Sequence, residues 1–335
     1  METVTLGSTG ITTSKNGFGA LPIQRINPNE ASALLIKAYE SGINFYDTAR
    51  FYTDSEEKIG QALSGVRDKI YIASKTMSST VEEFWEQLKT SLQVLKTDYL
   101  DIYQFHNPSF CPKPGDRTGL YEAMLEARDK NMIRHIGISN HRLPVAIEAA
   151  ESGLYETIQF PFSYLATDKE IDLVKLCSDR NIGFIAMKAL SGGLITNSAA
   201  AYAFLAQYHN VLPIWGIQKE KELDEFIGYM ENPPVLDETL SIIVAHDRKV
   251  LSGGFCRGCG YCLPCPAEID IPMCARMSLM IQRAPVSIYL NEEWQGKMRK
   301  IEDCTECNNC QDNFPYGLDT PQLLKDNWAD YQKYI

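Results

Sequence analysis

The stretch Asn44 to Gly60 reads NFYDTARFYTDSEEKIG and decides the fold, because it joins a short apolar strand to a helix. Residues 44–46 (NFY) predict a short buried strand that ends at Asp47. From Thr53 onward, a Thr-Asp-Ser sequence followed by two glutamates is typical of a capped helix start. Tyr52 therefore lies in the loop before this helix, and Asp47 and Tyr52 are expected at the same end of one strand-helix unit.

Two later apolar segments also end in a chemically active side chain. Residues 70–74 (IYIAS) precede Lys75, and residues 99–105 (YLDIYQF) precede His106. Because lysine is almost never buried without a partner, a strand covered on both faces has no structural use for Lys75 at its end. The carboxyl ends of neighbouring parallel strands meet at one edge, where active sites of barrels lie. Four side chains are therefore predicted to converge there: Asp47, Tyr52, Lys75 and His106.

Strand-like and helix-like segments alternate along most of the chain. The predicted strands lie at 16–20, 44–47, 70–75, 99–106, 133–139, 157–160, 183–187 and 212–215. The predicted helices lie at 29–41, 55–63, 80–95, 119–130, 141–152, 169–181, 199–208 and 238–251, and residues 4–14 suggest a hairpin at the bottom. This order of β-then-α units favours a closed parallel (β/α)8 TIM barrel over an open doubly wound sheet. No Gly-x-Gly-x-x-Gly follows a strand, so any dinucleotide is expected to be held by barrel loops.

Composition limits the class of protein. A chain of 335 residues with 44% hydrophobic content can form one barrel and a small second domain. The formal charge of -11 argues against nucleic acid and anionic membranes as partners. The amino terminus has no signal-peptide pattern, and no apolar run approaches the ~18 residues of a membrane span. We therefore expect a cytoplasmic protein without membrane or nucleic-acid partners.

The pattern around the four converging side chains resembles that of the aldo-keto reductases over roughly the first three quarters of the chain. The matching residues are Asp47-Thr48-Ala49, Tyr52, Ser55-Glu56, Ile59-Gly60, Lys75 and His106. The family consists of (β/α)8 barrels that reduce carbonyl groups with NAD(P)H.

The resemblance implies a catalytic tetrad. Tyr52 would donate a proton to the developing alkoxide, and Lys75 would lower the pKa of Tyr52. Asp47 would hold Lys75 in its charged form, and His106 would orient the carbonyl oxygen. Taken singly, the four residues could be a helix cap, a solvated strand end, a surface aromatic and a loop histidine. Their positions at consecutive strand ends favour the catalytic interpretation.

The resemblance also implies contacts to a nicotinamide cofactor. Ser139 and Asn140, at the end of the fifth predicted strand, and Gln159 in the sixth would bind the nicotinamide carboxamide. For Asn140 the alternative is an ordinary helix N-cap. Met187 would supply the platform for the ring, in place of the aromatic residue common in the family.

The phosphate and adenosine contacts depart from the family pattern. Gly192 and Gly193 would let backbone amides approach the pyrophosphate, whereas Lys188 either pairs with phosphate or is a solvated lysine at a strand end. Contacts to ribose and adenine are expected from Gln218, Lys219 and Glu225. Glu222 stands where an arginine commonly meets the 2′-phosphate, and an acid there would repel that phosphate. The choice between NADP(H) and NAD(H) therefore stays open.

The carboxyl-terminal segment contains two cysteine runs. The first is Cys256, Cys259, Cys262 and Cys265, and the second is Cys304, Cys307 and Cys310. This spacing indicates metal binding in a reducing compartment, and it resembles the ferredoxin pattern, in which the fourth cysteine of each run ligates the other run's cluster. A zinc ribbon is the alternative.

The tail departs from the ferredoxin pattern at two positions. The first run is one residue short before Cys265, and Phe314 stands where the fourth cysteine of the second run is expected. By the crossover rule, the second run and Cys265 still form a complete set for one 4Fe-4S cluster. A cluster on the first run would be completed by Cys274, reduced to three irons, or lost.

These observations predict an aldo-keto reductase barrel at 1–251 and a small, mostly helical ferredoxin-like domain at 252–335. The predicted activity is NAD(P)H-dependent reduction of a small-molecule carbonyl substrate, with the cluster serving an external redox partner or the structure. The rival hypothesis is a non-catalytic barrel scaffold in an iron-sulfur electron-transfer or redox-sensing subunit.

Overall fold

A computed structural model describes residues 2–251, 255–256, 258, 260, 262–283, 286–313 and 318–335. The chain forms two compact units, one of residues 1–189 with 199–240 and the other of residues 190–198 with 241–335. The predicted domain boundary between 251 and 252 stays a prediction. Within the described residues, no helix combines the length and apolar character that a membrane crossing requires.

The first unit is built on a closed barrel of parallel strands, which confirms the predicted fold. A hairpin of β1 (Thr3–Thr5) and β2 (Thr12–Ser14) precedes it. The barrel strands follow one another in sequence order, and the last pairs with the first. They are β3 (Gly17–Gly19), β4 (Phe45–Asp47), β5 (Tyr71–Thr76), β6 (Leu100–His106), β7 (Ile133–Ser139), β8 (Thr157–Pro161), β9 (Gly183–Met187) and β10 (Val211–Gly216).

Helices connect successive strands, as a parallel barrel requires. They are α1 (Pro28–Glu40), α2 (Ser55–Leu63), α3 (Val81–Leu95), α4 (Leu120–Asp129), α5 (Leu143–Ser152), α6 (Asp168–Asp179) and α7 (Ser198–Ala206), followed by α8 (Glu220–Glu231) and α9 (Glu238–Val250). Most boundaries agree with the predictions within two residues. Helix α8 was not predicted, although its buried residues Leu223, Phe226 and Met230 have helical spacing.

The barrel interior is apolar in the part that the hairpin closes. The side chains of this cluster come from the hairpin segment and from barrel strands, namely Val4, Leu6, Ile11, Phe45, Ala73, Ile102, Ile185, Met187, Leu212 and Ile214. Towards the carboxyl ends of the strands, the inward positions become polar, because residues two apart on a strand share one face. Ala73 is followed on that face by Lys75, and Ile102 by Gln104 and His106.

The start of α2 corrects one detail of the sequence analysis. The predicted capping residues form no side-chain cap on this helix. The Asp54 carboxylate instead pairs with Lys58 Nζ at 2.8 Å, and Ser55 Oγ donates to the carbonyl of Ala20 at 2.9 Å. Asp54 lies near the first turn, where an acid complements the helix dipole, but its carboxylate is engaged in the ion pair with Lys58. The helix start is thereby tied to the residue that follows β3.

The second unit is helical and contains the cysteines of the tail. Its helices after α9 are α10 (Ile271–Cys274), α11 (Met277–Arg283), α12 (Glu292–Arg299), α13 (Asn309–Asp312) and α14 (Thr320–Tyr331). A core formed by these elements buries Cys256, Cys262, Ile269, Ile271, Cys274, Ala275, Met277, Ile281, Met298, Ile301, Cys310, Leu324 and Tyr331. Cysteine thiols are therefore part of the packing of this unit.

Candidate active site

An ion pair joins the ends of β4 and β5. Lys75 Nζ lies 2.6 Å from Asp47 Oδ1 and donates to the carbonyl of Thr48 at 2.7 Å. Lys75 is 0% exposed, so it is a buried lysine with its partner in place. Burial lowers the pKa of Lys75 and raises the pKa of Asp47, and in both cases the attraction between the two charges opposes the shift.

Tyr52 and His106 lie beside this ion pair. The Lys75 ammonium is 5.2 Å from the centroid of the Tyr52 ring. The Tyr52 and His106 rings meet edge to face, with their centroids 5.7 Å apart. The structure thus brings together all four side chains of the predicted tetrad, each from a successive strand end or the loop after it.

His106 is held as a neutral imidazole at neutral pH. Burial, and secondly the positive charge of Lys75, lower the pKa of His106 to about 3. A neutral imidazole has one N–H donor and one acceptor nitrogen. It can therefore hydrogen-bond an uncharged carbonyl group without adding a second cation beside Lys75.

A buried carboxylate without a predicted role, that of Glu56, lies near the ion pair. Glu56 is 0% exposed, accepts a hydrogen bond from Ser74 Oγ at 2.5 Å and forms an ion pair with Arg50. Burial raises the pKa of Glu56, and hydrogen bonding from Ser74 opposes the shift. The charge of Glu56 also raises the pKa of Lys75, after the larger contribution of Asp47. The signal in the sequence was the Ser55-Glu56 pair, which carried the family resemblance without a stated function.

Two glutamines, Gln104 and Gln159, continue the cluster of polar side chains around the Lys75–Asp47 ion pair into the barrel interior. Gln104 Nε2 donates to Gln159 Oε1 at 2.8 Å, and a hydrogen bond from the Gln159 side chain lowers the pKa of Asp47. A Cβ atom at residue 137 would lie 2.9 Å from Gln104 Cγ, so the glycine there makes room for Gln104. Gln104 was missed, although a glutamine inside an otherwise apolar strand was a signal of it.

The predicted carboxamide contacts lie on strands next to His106. Ser139 is the register partner of both His106 and Gln159, so the three residues form a row across β6, β7 and β8. Asn140 Nδ2 donates to Pro108 O at 2.8 Å, and Asn140 Oδ1 accepts from the Arg142 amide at 2.7 Å. This local bonding matches the alternative of a structural role before α5, and the predicted carboxamide contact of Asn140 stays a prediction.

The end of β9 carries the predicted ring platform. Met187 is 8% exposed and belongs to the apolar cluster of the barrel interior. Lys188, the next residue, is half-buried and has a φ of 56°. Both predicted cofactor roles stay predictions.

The turn Ser191–Gly193 belongs to the second unit. Gly192 and Gly193 have φ values of 66° and 92°, in the left-handed region that favours glycine. Among the residues that the structure describes, no atom lies within 4 Å of the position that a Cβ of Gly193 would take. Its backbone therefore has open space beside it, as an approach by a phosphate group requires.

The predicted adenosine contacts lie at the start of α8. The Glu222 carboxylate accepts from the amides of Gln218 and Lys219 at 2.9 Å and 3.1 Å. Glu222 thus has a structural role as the capping acid of this helix. Glu225 is exposed and accepts from Tyr229 Oη at 3.0 Å. The nucleotide contacts of Gln218, Lys219 and Glu225 stay predictions.

The cysteines of the tail lie in and around one core. Cys256, Cys262, Cys274 and Cys310 are buried in it, Cys265 and Cys304 pack against it, and Cys307 is exposed. Cys259, Phe314 and the predicted break at 252–254 lie outside the described residues. Burial of the Cys310 thiol raises its pKa, and the charges of Cys304 and Cys265 raise it further. Cys265 of the first run and Cys304 of the second pack against the same core that buries Cys310, and the crossover ligation stays a prediction.

The cysteine thiols of the tail are suitable ligands for an iron-sulfur cluster. The described cysteines are free thiols, and the Gly258 amide donates to Cys256 Sγ at 3.4 Å, a contact of the kind that tunes cluster sulfurs. Cys274 Sγ donates to Lys297 O at 3.5 Å, and burial raises its pKa to about 12. Within the described ranges, which leave out Cys259, no three Cys, His, Asp or Glu side chains form a site for a single metal ion.

Two family models match the chain. The model of the aldo/keto reductase family matches residues 5–200, and the model of the 4Fe-4S dicluster domain matches residues 255–319. Among curated proteins, the chain is 33% identical over 205 residues to methylglyoxal reductase DkgB of Salmonella typhi, covering 57% of this chain and 72% of that protein. It is 29% identical over 215 residues to aldo-keto reductase YhdN of Bacillus subtilis, covering 58% and 64%.

Solved structures share the barrel. The holo form of an aldo-keto reductase from Bacillus halodurans superposes with a TM-score of 0.66 at 21% identity, over 74% of this chain and 96% of that one. An aldo-keto reductase from Klebsiella pneumoniae in complex with NADPH gives a TM-score of 0.62 at 22% identity, over 73% and 94%. These matches show the fold.

Proposed function

Because the chain belongs to the aldo/keto reductase family, we propose that it reduces the carbonyl group of a small aldehyde or ketone with NADPH or NADH. The observation that carries the proposal is the buried Lys75–Asp47 ion pair beside Tyr52 and His106. Methylglyoxal reductase activity of a relative that is 33% identical supports a carbonyl substrate.

Tyr52 is the proposed proton donor. A free phenol with a pKa of about 10 is a weak acid at neutral pH, and a nearby ammonium stabilises its phenolate form. Lys75 supplies this charge at 5.2 Å from the ring centroid. Asp47 holds Lys75 in place, and Gln159 in turn hydrogen-bonds Asp47. The proton thus moves from Tyr52 Oη to the oxygen of the substrate as the alcohol forms.

His106 is proposed to orient the carbonyl oxygen. Its neutral imidazole can donate one hydrogen bond to that oxygen, since the pKa of His106 is lowered to about 3. The Tyr52 and His106 rings, whose centroids are 5.7 Å apart, would both reach the reacting oxygen. Orientation of this kind lowers the entropic part of the barrier.

The cofactor is proposed to contact residues at the strand ends. When bound, the nicotinamide ring supplies hydride to the carbonyl carbon. Ser139, Asn140 and Gln159 would hold its carboxamide, Met187 would support the ring, and Gly192 and Gly193 would face the pyrophosphate. Lys188, Gln218, Lys219 and Glu225 are the remaining proposed contacts. The Glu222 carboxylate at the start of α8 disfavours a 2′-phosphate there, and we propose that it weakens selection for NADPH.

The tail is proposed to hold at least one 4Fe-4S cluster. The match of residues 255–319 to a dicluster domain and the packing of Cys265 and Cys304 against the core that buries Cys310 support it. Cys307 completes the proposed set, and a second cluster would use Cys256, Cys259 and Cys262 with Cys274 as the fourth ligand. An external redox partner is proposed to exchange electrons with this domain.

The test combines cofactor titration with a Tyr52→Phe variant. NADPH and NADH are titrated into cluster-containing protein under anaerobic conditions, with nicotinamide fluorescence as the readout. Loss of the proton donor should lower carbonyl reduction by about 100-fold to 10,000-fold, while cofactor affinity stays unchanged. Tyr71→Phe is the matched control, because Tyr71 lies at the opposite end of β5 from Lys75, and it should keep wild-type turnover.

The same titration separates the reductase from the scaffold hypothesis. Binding of either nucleotide, together with loss of turnover in Tyr52→Phe, supports the reductase. If the protein binds neither nucleotide, the barrel is a scaffold and the proposed function is wrong. Wild-type turnover in Tyr52→Phe would contradict the role of Tyr52.

A further inference from the structure

Arg276 is a buried cation next to the first cysteine run. It is 7% exposed and donates from Nε to Pro272 O at 2.6 Å. A Cβ atom at Gly258 would lie 3.1 Å from Nη1 and 3.2 Å from Cζ of Arg276, so the guanidinium packs against the Gly258 backbone. The Gly258 amide donates to Cys256 Sγ. Arg276 therefore contacts the loop that presents this proposed cluster ligand.

The same guanidinium also holds the turn Ser191–Gly193. Arg276 Nη1 donates to Gly192 O at 2.5 Å. Within the turn, the amides of Gly193 and Ile195 donate to Leu190 O at 2.9 Å and 3.2 Å. Ser191 has a φ of 48°, which is unfavourable for a residue with a side chain. An external contact on the Gly192 carbonyl thus opposes relaxation of a strained turn.

One side chain therefore connects two segments with different proposed roles. Gly192 and Gly193 are the proposed pyrophosphate contacts, and Cys256 is a proposed cluster ligand. The segments are distant in sequence, yet both contact the one guanidinium of Arg276. An arginine suits this position because its planar group stays charged and donates in several fixed directions.

We propose that Arg276 is a positioning residue that holds the turn Ser191–Gly193 ready for the cofactor's pyrophosphate and links this turn to the cluster-binding loop at Cys256. The inference rests on the proposed function, since the pyrophosphate role of Gly192 and Gly193 is part of it. A hydrogen bond from a charged donor contributes more than a neutral one. Its loss should therefore loosen the turn and weaken nucleotide binding while the tetrad stays intact.

The first measurement is hydrogen exchange at the turn, which needs no nucleotide. In the cluster-containing full-length protein, Arg276→Gln should exchange the amides of Gly193 and Ile195 about tenfold faster than wild type. Arg276→Lys keeps the charge but lacks the planar fork, so its exchange should be intermediate. Should Arg276→Gln not assemble its cluster, the comparison of Arg276→Lys with wild type decides the question.

The second measurement is the Kd for NADPH and NADH in the same proteins. Arg276→Gln should raise the Kd about tenfold, with iron and sulfide contents unchanged. Lys300→Gln is the matched control, because Lys300 is a half-exposed cation of the same unit whose Nζ lies 2.9 Å from Glu268 Oε2. It should leave both the turn and the Kd unchanged.

The outcomes separate this inference from the proposed function. Wild-type exchange at Gly193 and Ile195 and a wild-type Kd in both Arg276 variants would overturn the inference and leave the reductase intact. Equal effects of Arg276→Gln and Lys300→Gln would show that the loss of any positive charge in this unit has the same result. That outcome would also overturn the positioning role of Arg276. If wild type binds no nucleotide, the proposed function is wrong, whereas faster exchange in Arg276→Gln would still establish the positioning of the turn.

Discussion

His106 combines burial with a neighbouring cation, and this combination makes its protonation state measurable. Its side chain sits at the carboxyl end of β6, where it is 7% exposed. Burial and the Lys75 charge lower its pKa to about 3 in the folded protein. An unperturbed histidine has a pKa of about 6.5. The folded and unfolded states therefore differ in bound protons between these two values.

This difference predicts a pH-dependent loss of stability. Below a pH of about 6.5 the unfolded chain binds a proton at His106 that the folded protein does not bind. The free energy of unfolding therefore falls by up to ~1.4 kcal/mol for each unit by which the pH is lowered. The loss should extend towards pH 3, where the folded protein also takes up the proton. In His106→Gln this contribution is absent, and urea unfolding between pH 7 and pH 4 should show a shallower decline than wild type.

A suitable control for this experiment is His209→Gln, at an exposed histidine before β10. Its pH profile should follow that of wild type, because His209 is exposed and its replacement removes no buried group. A profile of His106→Gln that runs parallel to wild type would show that His106 is not buried in the neutral form.

Some side chains of the site could be predicted from the sequence, and others could not. Asp47, Tyr52, Lys75 and His106 could be predicted because each is a polar residue at the end of an apolar strand or in the loop after it, and strand ends converge in any parallel barrel. The hydrogen bond between Gln104 and Gln159 could not. This hydrogen bond depends on which inward-facing side chains lie at the same level along the barrel axis. That level follows from the register of strands that are far apart in sequence.

At the level of elements, the close packing of α2 on α3 depends on Gly60. A Cβ atom at Gly60 would lie 2.2 Å from Val94 O and 2.7 Å from Leu95 Cα. Both atoms belong to backbone, which cannot rotate away as a side chain can. The distance between the two helices is therefore set by the absence of a side chain at residue 60.

Gly60→Ala should consequently destabilise the barrel. Overpacking commonly costs about 1 to 3 kcal/mol of unfolding free energy, and contact with backbone favours the upper end. The matched control is Gly228→Ala in α8, where a new Cβ atom meets no atom of the described part of the chain within 4 Å. There the better helix propensity of alanine should stabilise the protein by about 0.5 to 1 kcal/mol. Urea unfolding of both variants tests the argument, and a change of the same sign in both would contradict it.

The helices show what local patterns can and cannot predict. The bounds of α2 agree with the prediction at both ends, yet its expected side-chain cap is replaced by the Asp54–Lys58 ion pair. A capping signature describes what a short segment can do by itself. Which partner the acid takes depends on Lys58, whose ammonium also donates to the carbonyls of Ile23 and Ile26. These carbonyls come from a segment that precedes α1, and nothing in the capping pattern reveals them.

At the level of the whole molecule, two kinds of redox chemistry are proposed for one chain. A hydride carries two electrons at once, whereas a 4Fe-4S cluster carries one, so the two centres cannot exchange electrons directly without an intermediary. The sequence shows no clear flavin motif. The cluster therefore either serves an external redox partner or stabilises the tail, and its ligand set decides how many centres the tail can offer.

Iron and sulfide contents of cysteine variants test this ligand set. The thiols of Cys265 and Cys304 both influence Cys310 electrostatically, although Cys265 belongs to the other run. If they share one cubane, Cys265→Ser and Cys310→Ser should each remove the same amount of about four irons and four sulfides per chain. Cys177→Ser, in α6 of the barrel unit, should leave the iron content unchanged.

Cys274→Ser should lower the iron content only if this thiol, which donates to Lys297 O, completes a second cluster. Loss of iron in Cys310→Ser without loss in Cys265→Ser would contradict the crossover set, and zinc without sulfide in the wild-type protein would exclude an iron-sulfur tail.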